Sequence, residues 1–433
     1  MSLTKTISRK EDPLSANNKI TLSRYFPKGT QYFYAYPAEE ASHFYNAVPP
    51  EVEEVVAARP LSCCGPNVKV ICFAESLKQK SWEMLNDLNA INIERKNILT
   101  LPEKITTAIK GNERNDLICE SLSKMVKKGK LLMAQPFLDA RLKSFYQIPP
   151  QRTIWLNDKR NLSSFIPQQF LPRRYFEFLD GMCFHETEEK VPLPCVVKVS
   201  SSSSGDGVRI CRTKKDLEEA KHEFRKIEGM IIVDEYINIK KNLGVQFGIP
   251  YDLKKPIEII GIHEQLTSKD GAFLGGILDL EEEKFYRKKL STLLIKKILP
   301  EVQRKGWYGI GGFDVLVDKK GKFHFVDANF RMTGMTTYDF LVRNKIIKKS
   351  LISFSGLFHG NESEFREKIM KIATPKNKDQ MLFITALTEK NNMYRFNAAM
   401  IFDNKRQMKV NAKKLIESGV ISEVMSQVCE GKI

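Results

Sequence analysis

Between Gly306 and Gly334 the chain reads GWYGIGGFDVLVDKKGKFHFVDANFRMTG, two apolar runs joined by a Gly-containing turn. The first run carries Asp314, and the second carries Asp327, Asn329 and Arg331. Side chains alternate along a strand, so Asp327, Asn329 and Arg331 are expected on one face and Val326, Ala328 and Phe330 on the packed face. If the runs pair across DKKGK, Asp314 joins the first set, and two carboxylates, an amide oxygen and a guanidinium stand together. Hard oxygen donors are what Mg²⁺ selects, typically one or two carboxylates completed by substrate phosphates. Arg331 cannot be a ligand, but it can stabilise charge developing on a phosphoryl group or an oxyanion. The alternative is a surface ion pair between Asp327 and Arg331, with Asp318 and KKGK as a solvated turn.

A second stretch, KVSSSSSGDGV, places Lys198 in a strand before Ser200 to Ser204, Gly205 and Gly207. Small side chains let backbone N–H groups approach a ligand and form an anion-binding concavity, to which hydroxyls add donors, so the loop suits polyphosphate. No Gly-Lys-Ser/Thr ends it and it continues into a strand, so it is neither a Walker A loop nor a dinucleotide fingerprint. A serine run alone is usually a linker. Strands on both sides and the preceding lysine favour the ligand loop.

These groups need elements to hold them. Val196–Val199 and Val208–Cys211 read as two strands closing a hairpin around the serine loop, and a helix follows with Thr213 as N-cap and Asp216 at capping-box distance. GMIIVDEYI and IEIIGIHEQL read as further strands, Glu281 to Lys297 as a Lys-rich helix, and MLFITAL and RFNAAMIFD as strands near the end. Upstream, NVKVICFAES reads as a buried strand, LKQKSWEMLNDLNA as a helix with Leu77, Trp82, Leu85 and Leu88 on one face, and Leu131 to Met133 as the next strand. Strand then helix suggests an α/β unit. Pro149 and Pro150 set a boundary near residue 150, and the first thirty or so residues read as an irregular lead-in with structure beginning near Tyr32.

At 433 residues the chain exceeds what one core usually supports, so two or three domains are expected. No apolar run is long enough to span a membrane, and the amino-terminal residues lack a signal-like apolar core, so a soluble, cytoplasmic protein is expected. The eight cysteines form no CxxC pair, which fits a reducing compartment. The net charge of +17 is spread along the chain and does not choose a partner by itself. Cys63 and Cys64 read as core or turn, and Trp82, Trp155 and Trp307 as packing residues. His263 and Glu264 either face an acceptor substrate or sit on an ordinary polar strand face.

The succession of Lys159 in LNDK, Lys198 before the small-residue loop, the acidic strand IIVDEYI, GxGGFD and DxNxR resembles the ATP-grasp superfamily over roughly residues 150 to 335. The resemblance implies an α/β and α+β architecture. Residues 1–150 would form a preceding α/β domain, 151–335 the nucleotide-binding and catalytic core, and 336–433 a mixed region completing the fold. It further implies ATP and Mg²⁺ as cofactors, with Mn²⁺ an allowed substitute. Lys159 and Lys198 would contact the phosphates, Ser202, Ser203, Ser204, Gly205 and Gly207 would cover them, and Asp234, Glu235 and Tyr236 would line the adenine and ribose site. Asp314, Asp327 and Asn329 would hold the metal, and Arg331, with Lys198, would act on the reacting phosphate. The family's usual Glu is here the shorter Asp327, which leaves less reach for bidentate binding of two ions.

The serine loop and the region after DxNxR look most like the branch that joins amino acids or peptides. The implied activity is therefore ADP-forming carboxylate–amine ligation through an acyl phosphate. Its partners would be a small carboxylate and an amine, with no nucleic acid, no membrane span and a homo-oligomer allowed. A nucleotide-binding regulatory module and a phosphotransferase on the same fold are the alternatives.

Overall fold

The computed structural model describes residues 20–34, 50–74, 95–107, 112–201, 207–268, 271–373 and 380–433. The expected helix through Trp82, and Ser202 to Gly205 of the serine loop, lie outside the described residues.

The first sheet consists of β1 (Thr30–Phe33), β2 (Val68–Cys72), β3 (Ile98–Thr100) and β4 (Leu131–Met133), in the order β3-β2-β1-β4 and parallel throughout. Val68, Val70, Ile71 and Cys72 are all buried, the continuous apolar run expected of a parallel strand covered on both faces. Helix α1 (Pro50–Ala58) follows β1 in the described chain, and α2 (Asn112–Met125) buries Ile118, Cys119 and Leu122 against Ile71 and Leu131.

The lead-in departs from expectation. Leu22 and Tyr25 are fully buried, and the Tyr25 hydroxyl donates to Glu258 at 2.8 Å beside an Arg24–Glu258 ion pair of the same length. Three apolar side chains in five residues, Leu22, Tyr25 and Phe26, outweigh the polar composition around them. Tyr25 fills the space over Gly248, where a Cβ would lie 2.1 Å from its ring.

After α3 (Pro150–Asn157) comes an antiparallel sheet of β5 (Arg174–Phe178), β6 (Cys195–Val199), β7 (Val208–Cys211) and β8 (Ile231–Glu235), ordered β5-β8-β6-β7. Helix α4 (Lys214–Phe224) starts at Thr213 with the capping box to Asp216 and packs Leu217, Ala220 and Phe224 on this sheet.

The third sheet has eight antiparallel strands: β9 (Ile239–Ile249), β10 (Glu258–Thr267), β11 (Phe273–Leu278), β12 (Gly309–Asp318), β13 (Phe323–Asn329), β14 (Ser350–His359), β15 (Leu382–Lys390) and β16 (Met393–Phe402). Their order is β13-β12-β9-β10-β11-β14-β16-β15, so strands on both sides of residue 335 share one sheet. The Lys-rich helix is α5 (Leu280–Leu293), continued by a π-turn through Ile298 and a last stretch to Arg304. Helix α6 (Thr336–Arg343) lies against β10, and α7 (Lys405–Glu417) and α8 (Glu423–Glu430) close the chain. Alternation in β12 sends Phe313, Val315 and Val317 into an aromatic core, where Phe313 stacks on Phe247 at 4.8 Å, and leaves Asp314 and Leu316 on the other face.

Candidate active site

That other face floors a cavity of about 930 Å³, roofed by the sheet of β5 to β8. The expected pairing across DKKGK is present: β12 and β13 are antiparallel and Asp314 lies directly opposite Asp327. Asp318 accepts the Lys320 and Lys322 backbone N–H groups in the turn.

One detail of the alternation is corrected. The register slips between Asp314 and Val315, so that Val315 faces Phe325 and Val326 has no partner. This bulge turns Val326, expected on the packed face, to line the cavity beside Asp327, while Ala328 and Phe330 are buried as expected.

Both lysines are buried, and each meets a carboxylate. Lys159 Nζ lies 3.1 Å from Asp327, and Lys198 Nζ lies 2.8 Å from Asp234 and donates to the Val326 carbonyl at 3.3 Å. Asp327 is thus drawn into an inward pair with Lys159. Arg174, which sequence reasoning missed, ties the lysines together: its Nε donates to Asp234 at 3.0 Å and its Nη2 to the Lys159 carbonyl at 3.3 Å. Asp234, Glu235 and Tyr236 all line the cavity, and the Asp234 carboxylate is taken up by Lys198 and Arg174. Asp234 therefore positions Lys198. Gly207, the described end of the serine loop, has φ +69°, in the region glycine favours, and its carbonyl accepts from Val199 N–H.

Arg331 is held through its neighbours. Phe330 N–H donates to the Asn157 side chain at 2.7 Å and Met332 N–H to the Tyr32 hydroxyl at 3.3 Å, pinning the backbone on both sides. Neither Asn157 nor Tyr32 carries a motif that would have marked it.

The fit of a divalent cation can be judged from the carboxylate pair. Burial, then the facing Asp327, push the Asp314 carboxyl up to about 6, partly offset by Gln265, whose amide donates to it at 2.7 Å. Among the described residues no three His, Cys, Asp or Glu side chains converge as a metal cluster. Two opposed carboxylates and the Asn329 amide form an incomplete oxygen set, which suits an ion that takes its remaining ligands from phosphate and water.

His263 continues the row of Asp327 and Asp314. Asp314 pairs with Gly244, and Gly244 with His263, whose ring leans into the space left by the glycine. The buried His263 Nδ1 is 3.4 Å from Asp339 on α6, and burial raises the Asp339 carboxyl above the usual range. Glu264 instead pairs with Lys241 at 2.5 Å. A Cβ on Gly244 would lie 2.2 Å from His263 Nε2. Gly244→Ala is therefore expected to cost about 1–3 kcal/mol by overpacking, seen as a lower denaturant midpoint. An unchanged midpoint would show that the ring has room to move.

Of the tryptophans, Trp307 is buried core, while Trp155 is more than a third exposed beneath Lys305. Cys63 and Cys64 are buried, and burial pushes the Cys63 thiol far up, as inert core requires. Among the described residues no helix is long and apolar enough to cross a membrane.

A family model described as L-aspartate–L-methionine ligase, ATP grasp, matches residues 175–329. The formate-dependent phosphoribosylglycinamide formyltransferase of Methanocaldococcus jannaschii is 31% identical over 175 residues, 37% of this chain and 41% of that protein. Its counterpart from Wolinella succinogenes is 24% identical over 217 residues, 47% of this chain and 52% of that protein. The chain thus spans about half or less of the length of these curated relatives. Among solved structures, N5-carboxyaminoimidazole synthetase from Staphylococcus aureus, complexed with ADP, has a TM-score of 0.53 at 12% identity, covering 93% of this chain and 100% of that one. The L-amino acid ligase from Bacillus licheniformis has a TM-score of 0.51 at 15% identity, covering 92% and 100%. At these identities the likeness to the solved structures is one of fold, and the match to an ATP-grasp ligase family model is confined to residues 175–329.

Proposed function

We propose that this chain is an ADP-forming, ATP-dependent carboxylate–amine ligase that joins an amino acid or peptide-like carboxylate to an amine. One arrangement carries the reading: Asp314 directly opposes Asp327 on the floor of a cavity that also receives the buried ammonium groups of Lys159 and Lys198. Opposed carboxylates beneath paired lysines suit a Mg²⁺-polyphosphate, and no residue of the set is a covalent nucleophile. The description of the matched family model supports amino acids as the substrates.

In this reading residues 151–335 bind nucleotide, residues 1–150 precede that unit and 336–433 complete the fold. Lys159 and Lys198 hold the phosphates, with Asp234 and Arg174 keeping Lys198 extended toward them. Glu235 and Tyr236 line the adenine and ribose end. Asp314, Asp327 and Asn329 would be the ligands of Mg²⁺, which when bound offsets phosphate charge. A substrate carboxylate oxygen attacks the γ-phosphorus, and the bond from that phosphorus to the bridging oxygen of ADP breaks. The amine nitrogen then attacks the acyl carbon, phosphate leaves with the carbon–oxygen electron pair, and the nitrogen loses a proton. Arg331 balances charge on the transferring phosphoryl and acyl oxygens. Such transfers depend chiefly on positioning and electrostatics.

Incubation with MgATP and mixtures of amino acids distinguishes the possibilities. A ligase yields ADP, inorganic phosphate and a new amide in equal amounts. ADP with a phosphorylated product and no free phosphate would make the chain a phosphotransferase, and nucleotide binding without turnover would make it a binding module.

A further inference from the structure

The cavity continues past the residues proposed to face the nucleotide to a further cation, Arg59. Val52, Val56 and Arg59 are spaced i, i+4, i+7 along α1 and its continuation, a spacing that shares one helical face, and all three line the cavity. Arg59 Nε donates to the Asn397 side-chain oxygen on β16 at 2.6 Å, and the Asn397 amide donates to Ser355 on β14 at 3.0 Å. This chain of bonds fixes the guanidinium plane. Among the described residues no carboxylate pairs with Arg59; its guanidinium bonds the neutral Asn397, and its backbone carbonyl accepts from the Thr337 hydroxyl at 3.4 Å. The acidic residues lining the cavity stand on β8, β12 and β13, whereas Arg59 is anchored on β14 and β16, with β9, β10 and β11 between them and β12 in the large sheet. Phe273 and Leu274 on β11 add apolar wall on that route.

A half-buried guanidinium held by a neutral partner offers a fork that matches a carboxylate in two parallel hydrogen bonds. From this placement we infer that Arg59 is the anchor for a substrate carboxylate that the reaction does not consume. The two valines below it accept an apolar side chain, so the class of ligand is an apolar α-amino acid. This inference rests on the proposed ligase reading but concerns a different end of the cavity, and it makes Arg59 a specificity determinant.

The test is calorimetric binding of L-leucine, L-methionine and L-phenylalanine, each against its α-carboxamide, to the full chain saturated with MgADP. The amides keep the side chain and the amine and lose the anion. The wild-type protein is expected to bind at least one acid roughly tenfold or more tighter than its amide, the scale of a lost charge-assisted pair. Arg59→Gln, which can still bond Asn397, should abolish that preference, and Arg59→Lys should restore part of it, while MgADP affinity stays within about twofold in both. If no acid binds, if acid and amide bind equally to the wild type, or if Arg59→Gln keeps the preference, the inference is overturned. Failure of the wild type to bind MgADP would instead overturn the nucleotide reading, so the two failures are distinct.

Discussion

Replacing Asp314 by Asn is expected to raise the melting temperature of the ligand-free protein while cutting Mg²⁺-dependent ADP release by at least about a hundredfold, the scale of losing one charge-stabilising group. The two effects share a cause. In the folded chain the Asp314 carboxyl is pushed up to about 6 by burial and by Asp327, so folding disfavours its ionised form. A carboxyl raised in this way contributes stability at low pH and loses it as pH rises from the unfolded value near 4 through about 6. Above that the ionised Asp314 costs on the order of 1–3 kcal/mol, and Asn, which keeps an acceptor for Gln265, removes the cost. The advantage of the variant should therefore grow between about pH 4 and 6 and then level off. Asp327→Asn should lose turnover as severely but gain little stability, because relief of Asp314 is offset by loss of the 3.1 Å pair with Lys159. Thermal melts across pH on both variants, beside an ADP-release assay, test this. A destabilised Asp314→Asn at neutral pH would mean that the carboxylate pair is not strained, and would remove the main physical argument for a cation there.

The same pair shows why some of the site was legible in the sequence. Alternation in GGFDVLVD and HFVDANF is strong enough to predict the face of Asp314, and DKKGK predicts the turn that brings Asp327 opposite it. The hairpin around the serine loop and the Thr213 cap were legible for the same reason, since period-two apolar runs and a capping box are local signals. The bulge at Val326 was not, because nothing in the local pattern marks an unpaired residue. Central strand β9 was also missed, although Leu243, Val245, Phe247 and Ile249 alternate cleanly and a period-two count would have found them. Gly244 and Gly248 interrupt the polar half of that pattern, and only the fold reveals that they make room for His263 and Tyr25. Arg174, Asn157, Tyr32 and Arg59 were illegible for a deeper reason. Each works by contact with residues distant in sequence, 60 positions for Arg174 and 338 for Arg59, and a single positive or polar side chain in a basic chain carries no mark of where the fold will take it.

Arg331 and Lys198 should separate chemistry from binding. A guanidinium beside the reacting phosphoryl gains most when charge shifts among ADP, the phosphoryl oxygens and the acyl oxygen, so its contribution belongs to the transition state. Its backbone is pinned independently, through Phe330 to Asn157 and through Met332 to Tyr32, so truncating the side chain leaves the strand end in place. Arg331→Ala is thus expected to leave nucleotide affinity within a few-fold and to lower turnover by roughly two or more orders of magnitude. In the proposed reading Lys198 meets the phosphates already in the resting complex. Lys198→Ala also leaves buried Asp234 with Arg174 as its remaining ion-pair partner at 3.0 Å, turning the local field against an anion. That variant should bind ATP at least about tenfold more weakly, and Lys198→Arg should recover part of the loss because the charge returns. A nucleotide titration and a phosphate-release assay on the three proteins suffice. If Arg331→Ala loses ATP affinity as severely as Lys198→Ala while turning over normally at saturating ATP, Arg331 anchors the nucleotide, and charge stabilisation during transfer falls to the lysines alone.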